Sequence, residues 1–231
     1  MFKIGLEYME NQKTITAISA IRHPGREISD IFLDGVFAFC VANEIVARKS
    51  LKVGQVLSQQ DIINLNEAEV FHKCLNAALH FLSYRPRSES EITSRLELHG
   101  YDGDNITRVL AHLKSLNLVN DSAFASYWKD NRNAFQPRSQ SMVKMELRRK
   151  GLEAEIIDQV VQDVDDEENA YRIALNKAQK LPPADFQVFR QKLGGFLQRR
   201  GFSYRVINKT IKRVWQEQEQ GITPESETEK Q

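Results

Sequence analysis

Apolar positions approach three glycines of the chain in the same way: Gly100, Gly151 and Gly201. The residues eight and four positions before each glycine are Ile92 and Leu96, Val143 and Leu147, and Leu193 and Leu197. A spacing of four places each pair on one face of a helix. The residue before each glycine is basic and the residue after it is large and apolar, as with His99 and Tyr101 around Gly100. This pattern predicts three helices that end in Schellman caps.

A second apolar stripe follows each glycine, at the positions six, ten and thirteen residues beyond it. Its members are Ile106, Leu110 and Leu113; Ile157, Val161 and Val164; and Ile207, Ile211 and Val214. The glycines are 51 and 50 residues apart, and the shared pattern covers more than twenty positions in each copy. We therefore predict tandem helical modules, each of which buries its apolar face partly against its neighbours.

Helix breakers and caps divide each module into three helices. The first helix of module 1 stops at Arg85-Pro86, because a residue before proline is pushed out of helical geometry. Ser88, with Glu91 three residues on, forms a capping box for the second helix, and Asp102 is the predicted cap of the third. The predicted caps of later helices are Asp121 in module 2 and Asp165 and Ser203 in module 3. The tripeptide Pro-Arg-Ser occurs at residues 86–88 and 137–139, at the same distance from the glycine of its module.

The N-terminal part of the chain has the alternation of strands rather than of helices. Apolar runs at residues 14–21, 28–33 and 36–41 are separated by His23-Pro24-Gly25 and by Asp34-Gly35. Asp-Gly between apolar runs is a two-residue hairpin signal, since both central residues take positive φ. We predict a small sheet of three strands, covered by two short helices near residues 43–49 and 58–65.

The predicted fold is mainly α, with three tandem three-helix modules of about 50 residues, each like a helix-turn-helix unit, in an elongated array. A small β-rich region precedes them. The predicted boundaries are 1–66 for this β-rich cap with its short helices, 67–119 for module 1, 120–165 for module 2, 166–219 for module 3 and 220–231 for a polar tail that should be disordered.

The composition is that of an ordinary soluble protein, with 41% hydrophobic and 27% charged residues. No apolar run approaches the roughly 18 residues that span a bilayer, and residues 1–7 lack the apolar core of a signal peptide. We therefore expect a cytoplasmic protein without membrane contact. Cys40 and Cys74 are far apart and form no Cys-x-x-Cys motif, so a disulfide or a zinc site has no support. No metal and no cofactor is expected.

The net charge of +1 conceals an uneven distribution. Residues 167–219 hold 11 basic and 5 acidic side chains, whereas residues 69–166 hold 13 and 15. Between Glu153 and Glu168, eight acidic residues follow one another with no lysine or arginine among them. This run is interpreted as a solvated helix face with favourable charge at a helix start, or alternatively as an acidic contact surface.

Four stretches of the sequence support a family resemblance: residues 82–91 (LSYRPRSESE), 120–125 (NDSAFA), 146–152 (ELRRKGL) and 196–203 (FLQRRGFS). In order and spacing, from about Glu69 to Glu219, they resemble the RecX family of regulatory proteins, which modulate the RecA recombinase. The resemblance implies a non-enzymatic protein of DNA repair, recombination and the SOS response. Such a protein binds RecA filaments on single-stranded DNA and damps strand exchange, ATP hydrolysis and coprotease activity. We expect it to act as a monomer.

The module plan is compatible with binding to a filament. Helices of roughly 12 residues are about 18 Å long, and three modules in line would follow a helical groove and touch several subunits, so that modest contacts add through effective concentration. The candidate partner-binding residues are the cations near helix ends: Arg85, Arg87, Arg95, Arg138, Arg148, Arg149, Lys150, Arg199, Arg200, Lys209, Lys212 and Arg213. A favourable charge at a helix C-terminus explains any single one of them equally well.

The module 3 cations are the favoured set among these candidates. Replacing them by alanine is expected to weaken inhibition of the recombinase ATPase without unfolding the protein. They are Arg199, Arg200, Lys209 and Arg213.

Two other functional classes were weighed. A direct nucleic-acid binder is favoured by three-helix modules that end in a basic helix, but the near-neutral charge and the acidic run disfavour it; weak single-strand binding through module 3 remains open. An enzyme is disfavoured because the sequence has no phosphate loop, no Gly-x-Ser-x-Gly and no metal-ligand spacing. Gly194-Gly195 is too short for a phosphate cradle and is expected to mark close helix packing.

Overall fold

The computed structural model describes residues 12–23, 26–181 and 185–219, so the predicted disordered tail and the breakers Pro24-Gly25 and Pro182-Pro183 lie outside the described residues. The strands are β1 (Lys13–His23), β2 (Arg26–Leu33), β3 (Val36–Ala42) and β4 (Val56–Leu57). The helices are α1 (Asn43–Arg48), α2 (Gln59–Leu82), α3 (Glu89–Leu98), α4 (Gly103–Ser115), α5 (Asp121–Phe135), α6 (Gln140–Arg149), α7 (Ala154–Val161), α8 (Asp166–Ala178), α9 (Phe186–Gln198) and α10 (Tyr204–Glu219). A small sheet followed by three tandem three-helix modules confirms the predicted fold class.

The chain divides into two compact units. The first consists of the residues up to Arg85 together with Ile92–Leu116, and the second of Pro86–Glu91 together with the residues from Asn117 onward. Helix α3 therefore begins in the second unit and ends in the first, while modules 2 and 3 lie wholly in the second.

The sheet is antiparallel, with strand order β3-β2-β1-β4. The predicted hairpin is confirmed: Asp34 and Gly35 join β2 to β3 with φ values of 52° and 81°. The prediction of three strands missed β4, which is only two residues long and pairs with Lys13 and Thr14. Two residues are too few to show a period.

Helix α2 differs from its prediction. The expected short helix at 58–65 and the expected first helix of module 1 are one continuous helix of 24 residues, so the predicted boundary at residue 66 falls inside it. Ser58 starts this helix with a full capping box to Asp61, and neither glycine nor proline interrupts it afterwards. The buried Glu69 carboxylate of α2 accepts a hydrogen bond from the Ala42 N–H at 2.7 Å, which ties the helix to the end of β3.

The module cores follow the predicted stripes. All fifteen residues of the two stripes are buried, and the glycines Gly100, Gly151 and Gly201 have φ values of 82°, 80° and 86°. In each module the residue after the glycine donates its N–H to the carbonyl of the leucine five positions earlier, for example Leu152 to Leu147 at 3.3 Å. These are the bonds of a Schellman cap, so the predicted helix ends are confirmed.

Most of the predicted helix caps are also confirmed, with one correction. Asp102, Asp165 and Ser203 each accept a backbone N–H at the start of the predicted helix. At α5 the cap is Asn120, whose Oδ1 accepts the Ala123 N–H at 3.0 Å, and not Asp121. The Asp121 carboxylate instead accepts from the Glu89 N–H, 32 residues earlier. No helix in the described part of the chain is long and apolar enough to cross a membrane.

Candidate interaction surface

The start of α3 is seated on the end of α6, and we call this contact the first joint. Ser88 Oγ accepts the Glu91 N–H at 3.2 Å and donates to the Lys150 carbonyl at 2.6 Å. The Lys150 ammonium lies 2.5 Å from Glu91 Oε1 and 5.0 Å from the centre of the Trp128 ring. Ser88 is fully buried by these contacts. A helix-capping serine therefore also satisfies a carbonyl at the end of another helix.

The start of α6 is seated on the end of α9 in the same way, and we call this contact the second joint. Ser139 is fully buried, and its Oγ accepts the Met142 N–H at 3.2 Å. Here the backbone N–H of Ser139, rather than its hydroxyl, donates to the Arg200 carbonyl at 3.1 Å. The two Pro-Arg-Ser segments share a position in their modules because each supplies the serine of a joint, Ser88 in the first and Ser139 in the second.

Each joint requires a glycine at the end of the receiving helix, because a larger residue would collide with the incoming helix start. A Cβ added at Gly151 would overlap the Ser90 side chain, and a Cβ at Gly201 would lie 2.6 Å from Ser139 Oγ. At Gly100 no described atom lies within 4 Å of the same position. Two of the three glycine ends are therefore covered by a helix start, and the first is open.

An aspartate at the beginning of the following module supports each helix start. The Glu89 N–H donates to Asp121 Oδ1 at 2.9 Å, and the Gln140 N–H donates to Asp166 Oδ1 at 2.6 Å. Burial raises the pKa of the Asp166 carboxyl above its ordinary value, although the hydrogen bond from Gln140 acts in the opposite direction. The second joint thus holds a carboxylate whose ionised form is partly desolvated.

Most of the predicted partner-binding cations are engaged within the protein. The ion pairs join Arg138 to Glu146 at 3.1 Å, Lys150 to Glu91 at 2.5 Å, Lys209 to Glu167 at 2.5 Å and Arg213 to Glu217 at 3.0 Å. The cation–ring contacts join Arg95 to Phe81, Arg200 to Phe196 and Arg213 to Tyr171, at 5.6, 3.9 and 3.5 Å. Arg85 and Arg87 are half-buried and also have partners within the chain.

The Glu146 carboxylate on α6 contacts three side chains. Glu146 Oε2 lies 2.7 Å from Arg132 Nε and accepts the Trp128 indole N–H at 2.8 Å, while its other oxygen faces Arg138. Only 13% of the Glu146 side chain is exposed. Removing Arg138 would leave the largely buried Glu146 carboxylate with fewer charge partners, which is costly because a buried charge loses its contact with water. Arg138 is therefore a structural residue.

Like charges gather near the second joint. The pKa of the Arg200 guanidinium is lowered, chiefly by burial and then by the positive charges of Arg138 and Arg199. Arg200 also lies on the Phe196 ring, so its charge is held in place. Of these three arginines only Arg199 is exposed.

Four of the predicted cations are exposed and form no ion pair with any carboxylate that the structure describes. They are Arg148, Arg149, Arg199 and Lys212. Arg149 and Arg199 occupy equivalent positions, two residues before Gly151 and Gly201. The structure therefore divides the predicted set into cations with a contact partner in the chain and exposed cations without an ion pair among the described residues.

The groove between α9 and α10 was not anticipated from the sequence. Its volume is about 340 Å³, and none of its described lining residues is acidic. Arg190 Nη2 donates to Tyr204 Oη at 3.3 Å, and a hydrogen bond from Asn208 together with the Arg190 charge lowers the pKa of Tyr204. Tyr204 is 72% exposed. The groove combines a cation, an aromatic face and amide groups.

Gly194 of α9 lines this groove, and for this glycine the predicted role in close helix packing is wrong. A Cβ at Gly194 would lie 3.6 Å from Ile211 Cδ1, which is an ordinary van der Waals contact. A small side chain would therefore fit, so the two helices do not approach too closely for one. The glycine leaves open space in the groove instead.

Most carboxylates of the acidic run contact other residues of the same chain. Asp165 caps α8, Asp166 supports the second joint, and Asp158 lies 2.7 Å from the Lys144 ammonium. Asp163 and Glu167 face Lys129 and Lys209 at 4.0 and 2.5 Å. These contacts favour the interpretation of a helix start and a solvated face over an acidic contact surface.

The surroundings of both cysteines favour the protonated thiol over the thiolate. Burial raises the pKa of the Cys74 thiol to about 11, and a hydrogen bond to Asp30 raises the pKa of Cys40. Within the described ranges, no three His, Cys, Asp or Glu side chains stand close enough to hold a metal ion.

Comparison with known proteins follows the module boundaries. Three family models match this chain: the first three-helix domain of RecX at residues 74–113, the second at 120–161 and the third at 165–211, together more than half of its length. A regulatory protein RecX of Listeria welshimeri is 32% identical over 195 residues, which are 83% of this chain and 72% of that protein. The RecX proteins of Bacillus pumilus and Clostridium beijerinckii are 30% and 29% identical over 209 and 200 residues, covering 79% and 92% of their lengths.

Two crystal structures share the fold. A regulatory protein RecX covers 86% of this chain and 98% of its own, with a TM-score of 0.63 and 24% identity. RecX from Lactobacillus salivarius covers 64% of this chain and 99% of its own, with a TM-score of 0.56 and the same identity.

The fold and the joints define a class of regulatory protein built from three tandem three-helix domains. The chain belongs to the RecX family and has the regulatory role of that family.

Proposed function

We propose that this protein binds the filament that the RecA recombinase forms on single-stranded DNA, and that it lowers strand exchange, ATP hydrolysis and coprotease activity without catalysing a reaction itself. One observation carries the proposal: two successive modules present an unpaired, exposed arginine at the same position, Arg149 and Arg199. A partner with a repeating surface fits a repeated cation. Each contact then raises the effective concentration of the next.

The contact residues of this proposal are Arg148, Arg149, Arg199 and Lys212. They replace the earlier favoured set, because Arg200, Lys209 and Arg213 are engaged in contacts within the protein. Substituting those three would remove contacts within the protein as well as any partner contact. Exposed cations that form no ion pair among the described residues can steer and hold an anionic partner surface.

The test compares two double variants of equal charge. Arg149→Ala with Arg199→Ala removes the repeated cations, and Lys49→Ala with Lys52→Ala removes two exposed cations of the N-terminal unit. We expect the first pair to weaken co-sedimentation with recombinase, single-stranded DNA and nucleotide, and to weaken inhibition of the filament ATPase. The control pair should behave as the unmodified protein does. An equal loss of binding in both pairs would mean that net charge, and not the position of Arg149 and Arg199, causes the effect.

A second candidate function, direct binding of single-stranded DNA, is favoured by the α9–α10 groove. Single-strand sites combine positive charge with aromatic faces on which bases stack, and Arg190 and Tyr204 supply both. Arg190→Ala and Tyr204→Ala are expected to lower the affinity for oligothymidylate in the absence of recombinase. Lys192→Ala, an exposed cation on the same helix outside the groove lining, is the control. Undetectable binding by the unmodified protein would remove this function.

A further inference from the structure

We propose that the second joint carries a binding site for a phosphate group, formed by Arg138, Lys177, Arg199 and Arg200 around the Phe196 ring. The proposal goes beyond the recombinase contact described above and does not depend on it. It accounts for a cluster of cations that the protein itself neutralises only in part.

Three elements bring the four cations together. The Ser139 N–H donates to the Arg200 carbonyl at 3.1 Å, so Arg138, the residue before Ser139, stands beside the end of α9. Arg199 and Arg200 directly follow the last residue of α9, and Lys177 belongs to the last turn of α8. The dipole of a helix favours a cation at its end but disfavours one at its start. It therefore does not explain Arg138, which precedes the start of α6.

The Phe196 ring holds two of the charges close to each other. The Arg200 guanidinium carbon lies 3.9 Å from the ring centre, and the Lys177 ammonium lies 5.8 Å from the same centre. The ring attracts each cation, whereas like charges at this separation repel one another. The positive charges of Arg138 and Arg199 also act on Arg200, since they contribute to its lowered pKa. An anion among these groups would offset the repulsion.

The described residues leave most of the binding capacity of the cluster unused. Glu146 Oε1 lies 3.1 Å from Arg138 Nε, and its other oxygen is occupied by Arg132. Lys177, Arg199 and Arg200 form no ion pair with a carboxylate in the described part of the chain. None of the four clustered side chains donates a hydrogen bond to a described residue. Because a guanidinium has five N–H donors and an ammonium three, many donors remain for a ligand.

The chemistry of the cluster fits phosphate better than a carboxylate. A phosphate group carries up to about two negative charges and at least three acceptor oxygens, and guanidinium groups match its geometry with paired hydrogen bonds. A carboxylate brings one charge and two oxygens. A phosphate held between Arg138 and Arg199 would connect the start of α6 to the end of α9, so it would also stabilise the second joint. Free phosphate and the backbone of a nucleic acid both offer this group.

Variants that remove one charge each test the site. Lys177→Met and Arg199→Gln delete a cation and keep much of the side-chain length. Lys52→Met and Arg48→Gln are the matched controls: both residues are exposed, both lie in the first unit, and Arg48 also stands at a helix end. The melting temperature of each protein is measured in sodium phosphate and in sodium chloride of equal ionic strength. Chloride controls for screening.

We expect the unmodified protein and both controls to gain about 2–4 °C in phosphate, the shift produced by a ligand at several times its dissociation constant. Lys177→Met and Arg199→Gln should lose most of this gain. Phosphate also stabilises proteins because it is excluded from their surface, and that effect is common to all five proteins. An equal gain in all five would therefore overturn the site.

Calorimetric titration with pyrophosphate measures binding directly. We expect both site variants to bind pyrophosphate about tenfold more weakly than the unmodified protein, as the loss of one charge-assisted hydrogen bond predicts, with the two controls unchanged. An unchanged affinity in the site variants would refute the proposal.

Oligothymidylate distinguishes the two sources of phosphate. If it displaces pyrophosphate, and its own binding weakens in Lys177→Met, the site takes the backbone of a nucleic acid. If pyrophosphate binds and oligothymidylate does not displace it, the site takes free phosphate; both results support the site. Loss of pyrophosphate binding in Arg190→Ala, with Lys177→Met unaffected, would place the phosphate in the α9–α10 groove and overturn the assignment.

Discussion

At the residue scale, the glycines of the two joints meet two demands at once. Gly151 and Gly201 adopt a backbone conformation that costs other residues energy, and they also leave room for a neighbouring helix start. Gly54 and Gly100 meet only the first demand. Comparing substitutions at Gly151 and Gly54 therefore separates the energetic cost of the backbone conformation from the cost of the steric overlap.

Gly151→Ala is expected to destabilise the protein more than Gly54→Ala. The positive φ costs each variant about 1–2 kcal/mol, and overlap with Ser90 adds about 1–3 kcal/mol at residue 151 alone. Urea denaturation followed by circular dichroism measures both. Equal losses would mean that the first joint opens without cost.

Asp166→Asn is expected to change the pH dependence of stability. Because the pKa of Asp166 is raised in the folded protein, the folded state holds this proton more tightly, and its contribution to stability declines as the pH rises through the raised value. Asparagine keeps an acceptor for the Gln140 N–H without the charge. The variant should therefore gain stability relative to the unmodified protein between pH 4 and pH 7.

Asp158→Asn is the control of opposite sign. A hydrogen bond and the charge of Lys144 lower the pKa of Asp158, so its contribution is present at neutral pH and lost as the pH falls. Relative to the unmodified protein, this variant should be less stable at neutral pH, and the difference should shrink as the pH falls below about 4. The same sign for both variants would refute the assigned environments.

At the element scale, the two joints use one plan with different atoms. The first joint bonds the next helix through the hydroxyl of its serine, and the second through the backbone N–H. The first also carries the ion pair of Lys150 with Glu91, whereas Met142 stands at the equivalent of Glu91 in the second. A side-chain substitution should therefore affect the joints unequally.

Ser88→Ala is expected to cost more stability than Ser139→Ala. Both lose a helix cap, worth about 1 kcal/mol, but only Ser88→Ala also leaves the partly buried Lys150 carbonyl without the Ser88 donor, at a further cost of about 1 kcal/mol. Ser203→Ala, which removes an exposed cap outside the joints, serves as the reference. The order is read from urea midpoints, and a larger loss at Ser139 would contradict the bonding described here.

The sequence predicts those parts of the fold that depend on local periodicity. The stripes around Gly151, the Asp34-Gly35 hairpin and most caps are local signals, and the structure confirms them. The continuity of α2 was missed because apolar periodicity does not show where one helix stops and another starts unless a breaker intervenes. Asp121 was misassigned because its carboxylate bonds a residue 32 positions away.

The candidate surface was predicted less well than the fold, for a physical reason. Whether a cation is free depends on which carboxylate folding brings beside it, as Lys150 and Glu91 show across 59 residues. Charge and helix position are visible in the sequence, whereas this pairing is not. The groove at Arg190 and Tyr204 was missed because both residues also suit an exposed helix face.

At the scale of the whole molecule, a chain of net charge +1 has no strong overall field, so the proposed partner contact depends on a few unpaired cations. Ion pairs such as Lys209 with Glu167 neutralise individual cations of module 3. The remaining free cations, Arg149 and Arg199 among them, contribute a local attraction that salt screens.

Binding to recombinase filaments is expected to weaken as salt is raised from about 50 to about 200 mM, because exposed charges are screened over this range. The double variant Arg149→Ala with Arg199→Ala should bind more weakly at low salt and depend less steeply on salt. Co-sedimentation across a salt series measures both quantities. Parallel salt curves for the variant and the unmodified protein would place the electrostatic contact elsewhere.

Helix α2 has a mechanical consequence. Its 24 residues extend about 36 Å without a hinge residue, and the buried Glu69 anchors it to the rim of the sheet while its far end forms module 1. Bending α2 would break helical hydrogen bonds, because neither glycine nor proline interrupts it. We therefore expect the sheet and the part of module 1 that lies in the first unit to move together.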